Sequence, residues 1–310
     1  MVATTRNASD SSVGTFWNMP ARAIMTDTLL LLALNGLIWG LIIALIALGL
    51  SVIFGLLDVI NIAHGDFFMV GTVVAWFTLE ATGNFWIGFI VAPLIGFLLG
   101  AIIQRLVIQP VRGAAALTIV ATFGLSLILQ ETVRIVFGPT PRRILPPINS
   151  TIQIFGIDYD VYRIFAALVS LAALIGFFLF LQHTRIGTWM RAVRHDRDTA
   201  IAMGIPAQRV YIFTFGIGFA LAAFGGAVAA PIATVDFRGG VDILPVCFMA
   251  VIIGGLGNLP GTAAAAVLLS FFEGVIQSVA DPTVARISSL VLMSAVLLLR
   301  PQGLFRGHVR

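Results

Sequence analysis

The stretch HTRIGTWMRAVRHDRDTAIAMGIPAQR at residues 183–209 is the one long, charge-dense segment between apolar runs. Its middle predicts a short amphipathic helix that Gly204 and Pro206 end. The apolar side holds Met190, Val193, Ala200 and Ile201, and the charged side holds Arg191, Arg194, Arg197 and Asp198. Such a short helix cannot cross a bilayer, so it lies at the membrane surface or docks on a soluble protein, and its arginines favour the cytoplasmic side. The alternative is a basic loop that only orients the chain.

The composition indicates a membrane protein. Hydrophobic residues make up 59% of the chain and charged residues 10%, whereas soluble domains have about 45–50% and about 25%. The chain contains no lysine, which excludes a GxxxxGK[ST] phosphate loop. Any ATP-driven work must therefore be done by a different polypeptide. The single cysteine, Cys247, lies in an apolar run and is predicted to be a buried, inert thiol.

Apolar runs of about 20 residues predict membrane-spanning helices. The runs are 28–54, 56–79, 85–108, 114–137, 161–181, 210–231, 241–253, 263–279 and 287–299. We expect an all-α, polytopic transmembrane bundle of eight to ten spans, with broken or re-entrant helices and a cytoplasmic coupling helix within 183–209. The transmembrane domain covers 28–303, between an N-terminal tail at 1–27 and a cytoplasmic tail at 304–310. Nine spans place the N-terminus outside, and a re-entrant second segment would reverse its side.

Polar residues gather in the first half of the second apolar run. They are Asp58, Asn61, His64 and Asp66, with Gly65 among them. Two acids, an amide and an imidazole are costly in lipid, so a functional site is the first hypothesis. Asp58 and Asn61 are predicted to cap a broken helix, and Gly65 to supply the break. The alternative is a cytoplasmic turn whose polar side chains only cap two helices.

The segment IIGGLGNLPG at residues 252–261 is rich in glycine and lies between two apolar runs. Its glycines predict close helix contact or a break that lines a pathway. Asn258, Pro260 and Gly261 occupy a place in the second half that corresponds to Asn61, His64 and Gly65 in the first, which suggests an internal repeat. On the fourth apolar run, Glu131 and Arg134 have the spacing of a helical ion pair.

Three of these patterns resemble a known family. The run DTAIAMGI at 198–205 is similar to the loop by which permease subunits of ATP-binding-cassette (ABC) importers contact their ATPase. The wider pattern from Gly187 to Ile205 resembles the branched-chain amino acid ABC transporter permease family (LivH type) more closely. The sequence NIAHGD at 61–66 resembles a motif of the same family, with Asp66 in place of the usual glutamate.

The resemblance implies two sets of site residues and no catalytic or metal site. Contact with the ATPase would involve Arg191, Asp196, Asp198, Ala200, Gly204 and Ile205. The translocation pathway would be lined by Asp58, Asn61, His64, Gly65, Asp66, Gly254, Gly255, Gly257, Pro260 and Gly261.

The resemblance also implies a location and partners. The chain would be a multi-pass permease subunit in the bacterial inner membrane, with no cofactor of its own and no nucleic-acid partner. It would pair with a second homologous permease, two ABC ATPases that hydrolyse ATP, and an extracytoplasmic solute-binding protein, all within or beside the lipid bilayer. The solute would be a branched-chain or related hydrophobic amino acid, with urea or a short amide as the alternative.

Two other classes of function stay open on the residues alone. A self-sufficient secondary transporter or channel could use Asp58, Asp66 and Glu273 to couple an ion. An intramembrane enzyme could use His64 with Asp58 and Asp66 as metal ligands or as acid and base.

Overall fold

The computed structural model describes residues 21–154 and 157–305, which form a bundle of helices with one β-hairpin. The helices are α1 (Ala21–Leu57), α2 (His64–Thr82), α3 (Gly88–Ile103), α4 (Gln109–Val111), α5 (Ala115–Phe137), α6 (Val161–His183), α7 (Arg185–His195), α8 (Arg197–Ala202), α9 (Ala207–Ala229), α10 (Gly239–Gly254), α11 (Leu259–Gln277) and α12 (Pro282–Leu299). A 3₁₀ turn precedes α3, and a π-helical turn joins α3 to α4. Residues 1–20 and 306–310, most of the two predicted tails, lie outside the described residues.

Seven helical segments of the described chain are long and apolar enough to cross a membrane. They are 28–57, 85–111, 115–137, 161–183, 207–229, 259–277 and 282–299. The all-α polytopic bundle predicted from the sequence is thus confirmed. The two remaining predicted spans correspond to α2, which carries charged residues near both ends, and α10, which has only 16 residues. Helix α2 is too polar, and α10 is too short, to cross a bilayer alone.

The hairpin and the helices α7 and α8 mark opposite ends of the bundle. The hairpin pairs β1 (Thr151–Ile154) with β2 (Ile157–Asp160) in the segment between the fourth and fifth apolar runs. The Tyr159 hydroxyl of β2 donates a 2.6 Å hydrogen bond to Asn35 of α1. At the other end of α1, Gly55 lies beside Arg194 of α7. Therefore α1 runs the full distance from the hairpin end to the α7–α8 end.

The chain leaves helical geometry between α1 and α2, close to where the sequence predicts a break. Asp58 has a φ of 53°, and no α-helix forms until His64. The prediction that Asp58 and Asn61 cap the broken helix was wrong, however, because the N-cap residue of α2 is Ala63 and no side chain caps this helix. Gly65 lies within the first turn of α2, where a Cβ would come 2.2 Å from the carbonyl oxygen of Gly240. Its missing side chain serves helix contact, so it does not supply the break.

This contact brings the first turns of α2 and α10 together. Helix α2 runs towards the hairpin end, where Trp76 lies under the Arg142 guanidinium and Arg142 bridges to Val235. Helix α10 runs the opposite way, and Gly257, just beyond it, lies against Arg194 of α7. The two short helices therefore begin side by side within the bundle and leave it in opposite directions.

The helices around this meeting point follow an inverted arrangement. Helix α1 packs along α11, and α3 packs along α9, so that the order α1, α2, α3 corresponds to α9, α10, α11. The predicted correspondence of Asn258 with Asn61 stays a prediction, since Asn258 caps α11 whereas Asn61 precedes α2 without capping it. Fully buried aliphatic residues of α1, including Ile42 to Leu48, fill the centre of the bundle.

Candidate functional site

A polar cluster lies beside the start of α2, and its members come from α2, α5 and the connection that precedes α2. We call Asn61, His64, Asp66, Ser126 and Gln130 the central cluster. The Gln130 amide of α5 donates to Asp66 Oδ1 at 3.0 Å and to the Ser126 hydroxyl at 2.9 Å. Asn61, His64 and Asp66 are each at most 2% exposed. The sequence motif at 61–66 thus faces other protein segments, and α5 supplies the hydrogen-bond partner of Asp66.

His64 is held as a neutral hydrogen-bond donor. Its Nε2 lies 2.9 Å from the carbonyl oxygen of Ile46 in α1, which can only accept, so the proton sits on Nε2. The ring packs 5.6 Å from the Phe219 ring of α9. Its Nδ1 has no hydrogen-bond partner among the described residues. One side of the imidazole therefore ties α2 to α1, and the other retains an unused acceptor.

Two further side chains of the cluster have unused hydrogen-bonding atoms. Neither the oxygen nor the nitrogen of the Asn61 amide has a partner in the described part of the chain, and Asp66 Oδ2 has none either. An unsatisfied buried polar group costs about 1–3 kcal/mol. Evolved cores rarely retain several such groups at one place unless water, a solute or a partner chain bonds them.

The structure separates Asp58 from the rest of the predicted polar site. Asp58 is exposed directly after the end of α1, near the α7–α8 end, whereas His64 and Asp66 are buried within the bundle. The three side chains therefore do not form the compact set that the intramembrane-enzyme hypothesis requires. Within residues 21–154 and 157–305, no group of three or more His, Cys, Asp or Glu side chains could hold a metal ion.

The glycine-rich segment between α10 and α11 lies at the α7–α8 end, away from the central cluster. Gly255 and Gly257 have φ values of 96° and 78°, which disfavour other residues. A Cβ on Gly254 would come 2.5 Å from Thr262 of α11, so this glycine permits a tight helix pair. Asn258 accepts a bond from the Gly261 amide and caps α11. Pro260 is exposed in the first turn of that helix.

The predicted amphipathic helix of the charged stretch is in fact two helices at an angle. Asp196 separates them, and its carboxylate accepts bonds from the amides of Asp198 and Thr199 at 3.0 and 3.1 Å. A hydrogen bond from the Thr199 hydroxyl, followed by that from the Thr199 amide, lowers the pKa of Asp196 below its ordinary value. An aspartate at this position is a strong N-cap, which explains why α7 ends and α8 begins there.

The faces of α7 and α8 agree only in part with the sequence pattern. Met190, Val193 and Ala200 are buried against the bundle, as predicted for the apolar side. The buried state of Ala200 means that it does not offer a surface to another protein, contrary to its expected role in contact. Ile201 is 44% exposed and Met203 is 79% exposed.

The charged and C-terminal residues of this stretch take several roles. Arg191 donates to the carbonyl of Leu181 in α6, which anchors α7 to its neighbour. Asp198 lies 3.7 Å from Arg197 in an exposed ion pair. Gly204 has a φ of 83° with open space around it, and Ile205 is half-buried. The exposed surface of α8 and its C-terminal turn includes Asp198, Ile201, Met203 and Gly204, and Arg194 is exposed at the end of α7.

Met203 was missed in the sequence because it lies outside the helical apolar pattern. It follows α8 as its C-cap residue, where no periodicity applies. Its only available signal was a large apolar side chain directly before a glycine in a charged segment.

Comparison with known proteins gives a family match over most of the chain. Residues 32–300 match the family model described as branched-chain amino acid transport system / permease component. The chain is 27% identical over 290 residues to the permease protein LivH of the high-affinity branched-chain amino acid transport system of Salmonella typhimurium, covering 87% of this chain and 93% of that protein. It is 26% identical over 291 residues to BraD of Pseudomonas aeruginosa, with the same coverage. LivM of Escherichia coli K12 is 24% identical over 298 residues, covering 85% of this chain and 68% of LivM. No solved structure matches significantly.

Proposed function

Because this chain belongs to the family of branched-chain amino acid transport system permease components, we propose that it carries branched-chain or related hydrophobic amino acids across the bacterial inner membrane. It does so as the membrane-spanning subunit of an ABC importer, together with a second permease subunit, two ATPases and an extracytoplasmic solute-binding protein. The observation that carries this proposal is the family match from residue 32 to residue 300, which includes α2, α10 and the α7–α8 pair. The relatives named for branched-chain amino acid transport support the solute class.

The central cluster is the proposed part of the pathway within the membrane. Its unused polar atoms on Asn61, His64 and Asp66 support this role, because they need a partner that the described residues do not provide. The junction of two oppositely directed short helices at Gly65 and Gly240 is the kind of interruption at which transporters place their pathways. The segment 254–261 and Asp58 then belong to the cytoplasmic mouth.

The α7–α8 pair is the proposed docking surface for the ATPase. Ile201 and Met203 supply exposed apolar contact area, and Asp198 supplies a charge beside it. Ala200 supports that surface from behind, as its burial indicates.

Reconstitution tests the proposal directly. The chain, its co-expressed permease and ATPases are placed in proteoliposomes with the binding protein, and uptake of labelled leucine is measured with ATP, with a non-hydrolysable ATP analogue, and without ATPases. We expect uptake only with ATP and all subunits. Uptake that persists without ATPases would instead support a secondary transporter or channel, and uptake of urea with no uptake of leucine would contradict the proposed solute class. The isolated chain, which has no lysine for a phosphate loop, should show no saturable ATP binding.

A further inference from the structure

A cavity of about 380 Å³ opens between α1 and α11 at the hairpin end of the bundle. Its volume lies at the lower end of the range of about 300–1,000 Å³ typical of small-molecule sites. The polar side chains that line it are Asn35, Trp39, Arg163, Ser270, Glu273 and Gln277. The cavity is separate from the central cluster, with which it shares no residue.

The acid in this cavity lacks a hydrogen-bond partner on one oxygen. Glu273 Oε1 is buried and makes no hydrogen bond within the described residues. Arg286 of α12 borders a neighbouring cavity together with Glu273 and attracts its charge, while the ion pair of Arg286 is with Asp242, at 4.0 Å. Ser270, 2% exposed and lining the same cavity as Glu273, has a hydroxyl that likewise makes no hydrogen bond among these residues. An acceptor and a hydroxyl in this setting suit a cationic donor such as an ammonium group.

The basic side chain in the cavity, Arg163, is oriented by its neighbours and has further N–H donors that these neighbours do not use. Arg163 Nη1 donates to Asn35 Oδ1 at 3.0 Å, and Nε lies 3.3 Å from Asp160. A guanidinium has five N–H groups, so donors remain for a carboxylate. Asn35 Oδ1 also accepts from Tyr159. The amide nitrogen of Asn35 makes no hydrogen bond within the described residues and can donate to a ligand.

Apolar side chains complete the lining. Leu32, Ile38 and Ile232 contribute hydrocarbon surface, and Trp39 adds an indole ring. An acid, a base and an apolar wall in one cavity match the three parts of an aliphatic amino acid, namely its ammonium, its carboxylate and its side chain.

We propose that this cavity is an entry site for zwitterionic aliphatic amino acids, in which Glu273 binds the ammonium group and Arg163 the carboxylate. The proposal rests on the proposed function for its direction of transport, since the hairpin end is then the outer end. It adds a site at which the permease itself binds both charged groups of the solute before the solute reaches the central cluster.

Protection of an introduced thiol tests this site without relying on transport. Cys247 is the only cysteine and is buried, so Cys247→Ser gives a cysteine-free background. Gln277→Cys and, independently, Ala233→Cys place a reporter in the cavity wall. The assembled complex in proteoliposomes is treated with a membrane-impermeant maleimide in the presence of L-leucine, 4-methylpentanoate, which lacks the ammonium, or leucinol, which lacks the carboxylate.

We expect L-leucine to slow labelling of both reporters at much lower concentrations than either analogue. Glu273→Gln should raise the leucine concentration needed for protection about tenfold, the size expected for loss of one charge-assisted hydrogen bond. It should have no such effect on 4-methylpentanoate. Glu80→Gln, a matched change of an exposed acid at the same end, should leave protection unchanged.

Equal protection by the three compounds would overturn the proposal, and so would the absence of protection at both reporters. Leucine uptake is measured in parallel, in proteoliposomes of the same lipid composition that contain the wild-type chain in the assembled complex. ATP-dependent uptake without thiol protection would remove the entry site alone, whereas absence of uptake would remove the proposed function.

Discussion

At position 61 an asparagine amide is fully buried while neither of its polar atoms has a partner in the described chain. Its neighbour Thr122 shows the opposite case, because its hydroxyl accepts a bond from the Ile62 amide at 3.2 Å. A residue that stabilises the fold should use its polar atoms within the fold, as Thr122 does. A residue retained for transport can leave them for the solute or for water.

Asn61→Leu should therefore separate stability from transport. Removing an unpaired buried amide loses no hydrogen bond and should leave the unfolding temperature unchanged or raised, while uptake of leucine falls about tenfold or more. Thr122→Val is the control, because it leaves the Ile62 amide unpaired and should destabilise the chain by about 1–3 kcal/mol. Unfolding temperature and uptake are measured on the same preparations. Normal uptake by Asn61→Leu would exclude this amide from the pathway.

Contacts between side chains could be predicted from the sequence where the two partners are close in the chain. The Glu131–Arg134 pair was inferred from its i, i+3 spacing, and the structure confirms it with a 2.9 Å bond from Arg134 Nε. The partner of Asp66 could not be inferred, since Gln130 lies 64 positions away on a helix whose packing no local pattern specifies. The cavity around Glu273 was missed for the same reason.

At the scale of helices, small residues determine how closely α2, α3 and α9 approach one another. In lipid, helix association depends on close packing because both helices and lipid tails are apolar. Gly71 of α2 illustrates this point, because a Cβ there would lie 2.0 Å from the carbonyl oxygen of Ala223 in α9. Gly176 of α6 is also helical, yet a Cβ there would meet no atom within 4 Å.

Gly71→Ala and Gly176→Ala should consequently have opposite effects. The first forces α2 away from α9 and should cost about 1–3 kcal/mol, as overpacking usually does. The second removes only the poor helix propensity of glycine and should stabilise by up to about 1 kcal/mol. The unfolding temperatures of the two purified variants are measured to compare these effects on stability. Equal effects of the two changes would mean that this crossing does not limit stability.

Asp196 offers a second test at this scale, because it caps α8. Asp196→Asn should retain the cap, whereas Asp196→Ala should free the amides of Asp198 and Thr199. Hydrogen exchange at the Thr199 amide is the measurement, with fast exchange expected only in the alanine variant. Since the folded pKa lies below the ordinary 3.8, the charge on the cap adds stability above that value and loses it as pH falls through the lower folded pKa. The asparagine variant should lack this acid sensitivity, and a wild-type-like response from it would contradict the assignment.

Helix positions followed from apolar length, but helix interruptions did not. The sequence located a break near residues 58–66 through its polar residues, yet assigned it to Gly65, which in the structure packs against Gly240. Glycine permits both a break and a close contact, and only the position of the neighbouring helix distinguishes them. The bend at Asp196 was likewise hidden, because the hydrophobic pattern continues across it.

For the whole molecule, α7 connects the proposed docking surface for the ATPase to α1 and the end of α10. A Cβ on Gly257, after α10, would lie 2.8 Å from Arg194 Nη2, and a Cβ on Gly55 of α1 would lie 3.8 Å from Arg194 Cζ. Arg194 thus reaches both α1 and the end of α10, the two helices that lead to the central cluster. Arg194 is also exposed at the C-terminal end of α7, so it faces both the surface and these helices. Movement of α7 would be transmitted through this contact.

Arg194→Ala and Met203→Ser should therefore fail at different steps. Met203 is exposed at the proposed docking surface, so its replacement should weaken ATPase association, and interface residues of this kind often cost about 2 kcal/mol, roughly thirtyfold in affinity. Arg194 is exposed at the same end of the bundle, but its guanidinium lies against Gly55 and Gly257. Arg194→Ala should therefore retain the ATPase yet lower the amount of leucine transported per ATP hydrolysed. Two measurements distinguish these outcomes: co-purification of the ATPase, and the ratio of leucine uptake to ATP hydrolysis. The control is Leu145→Ser, which changes an equally exposed apolar residue on the connection between α5 and β1. Loss of the ATPase from Arg194→Ala would place the arginine in the interface itself, and an unchanged transport ratio would remove it from the route between ATPase and pathway.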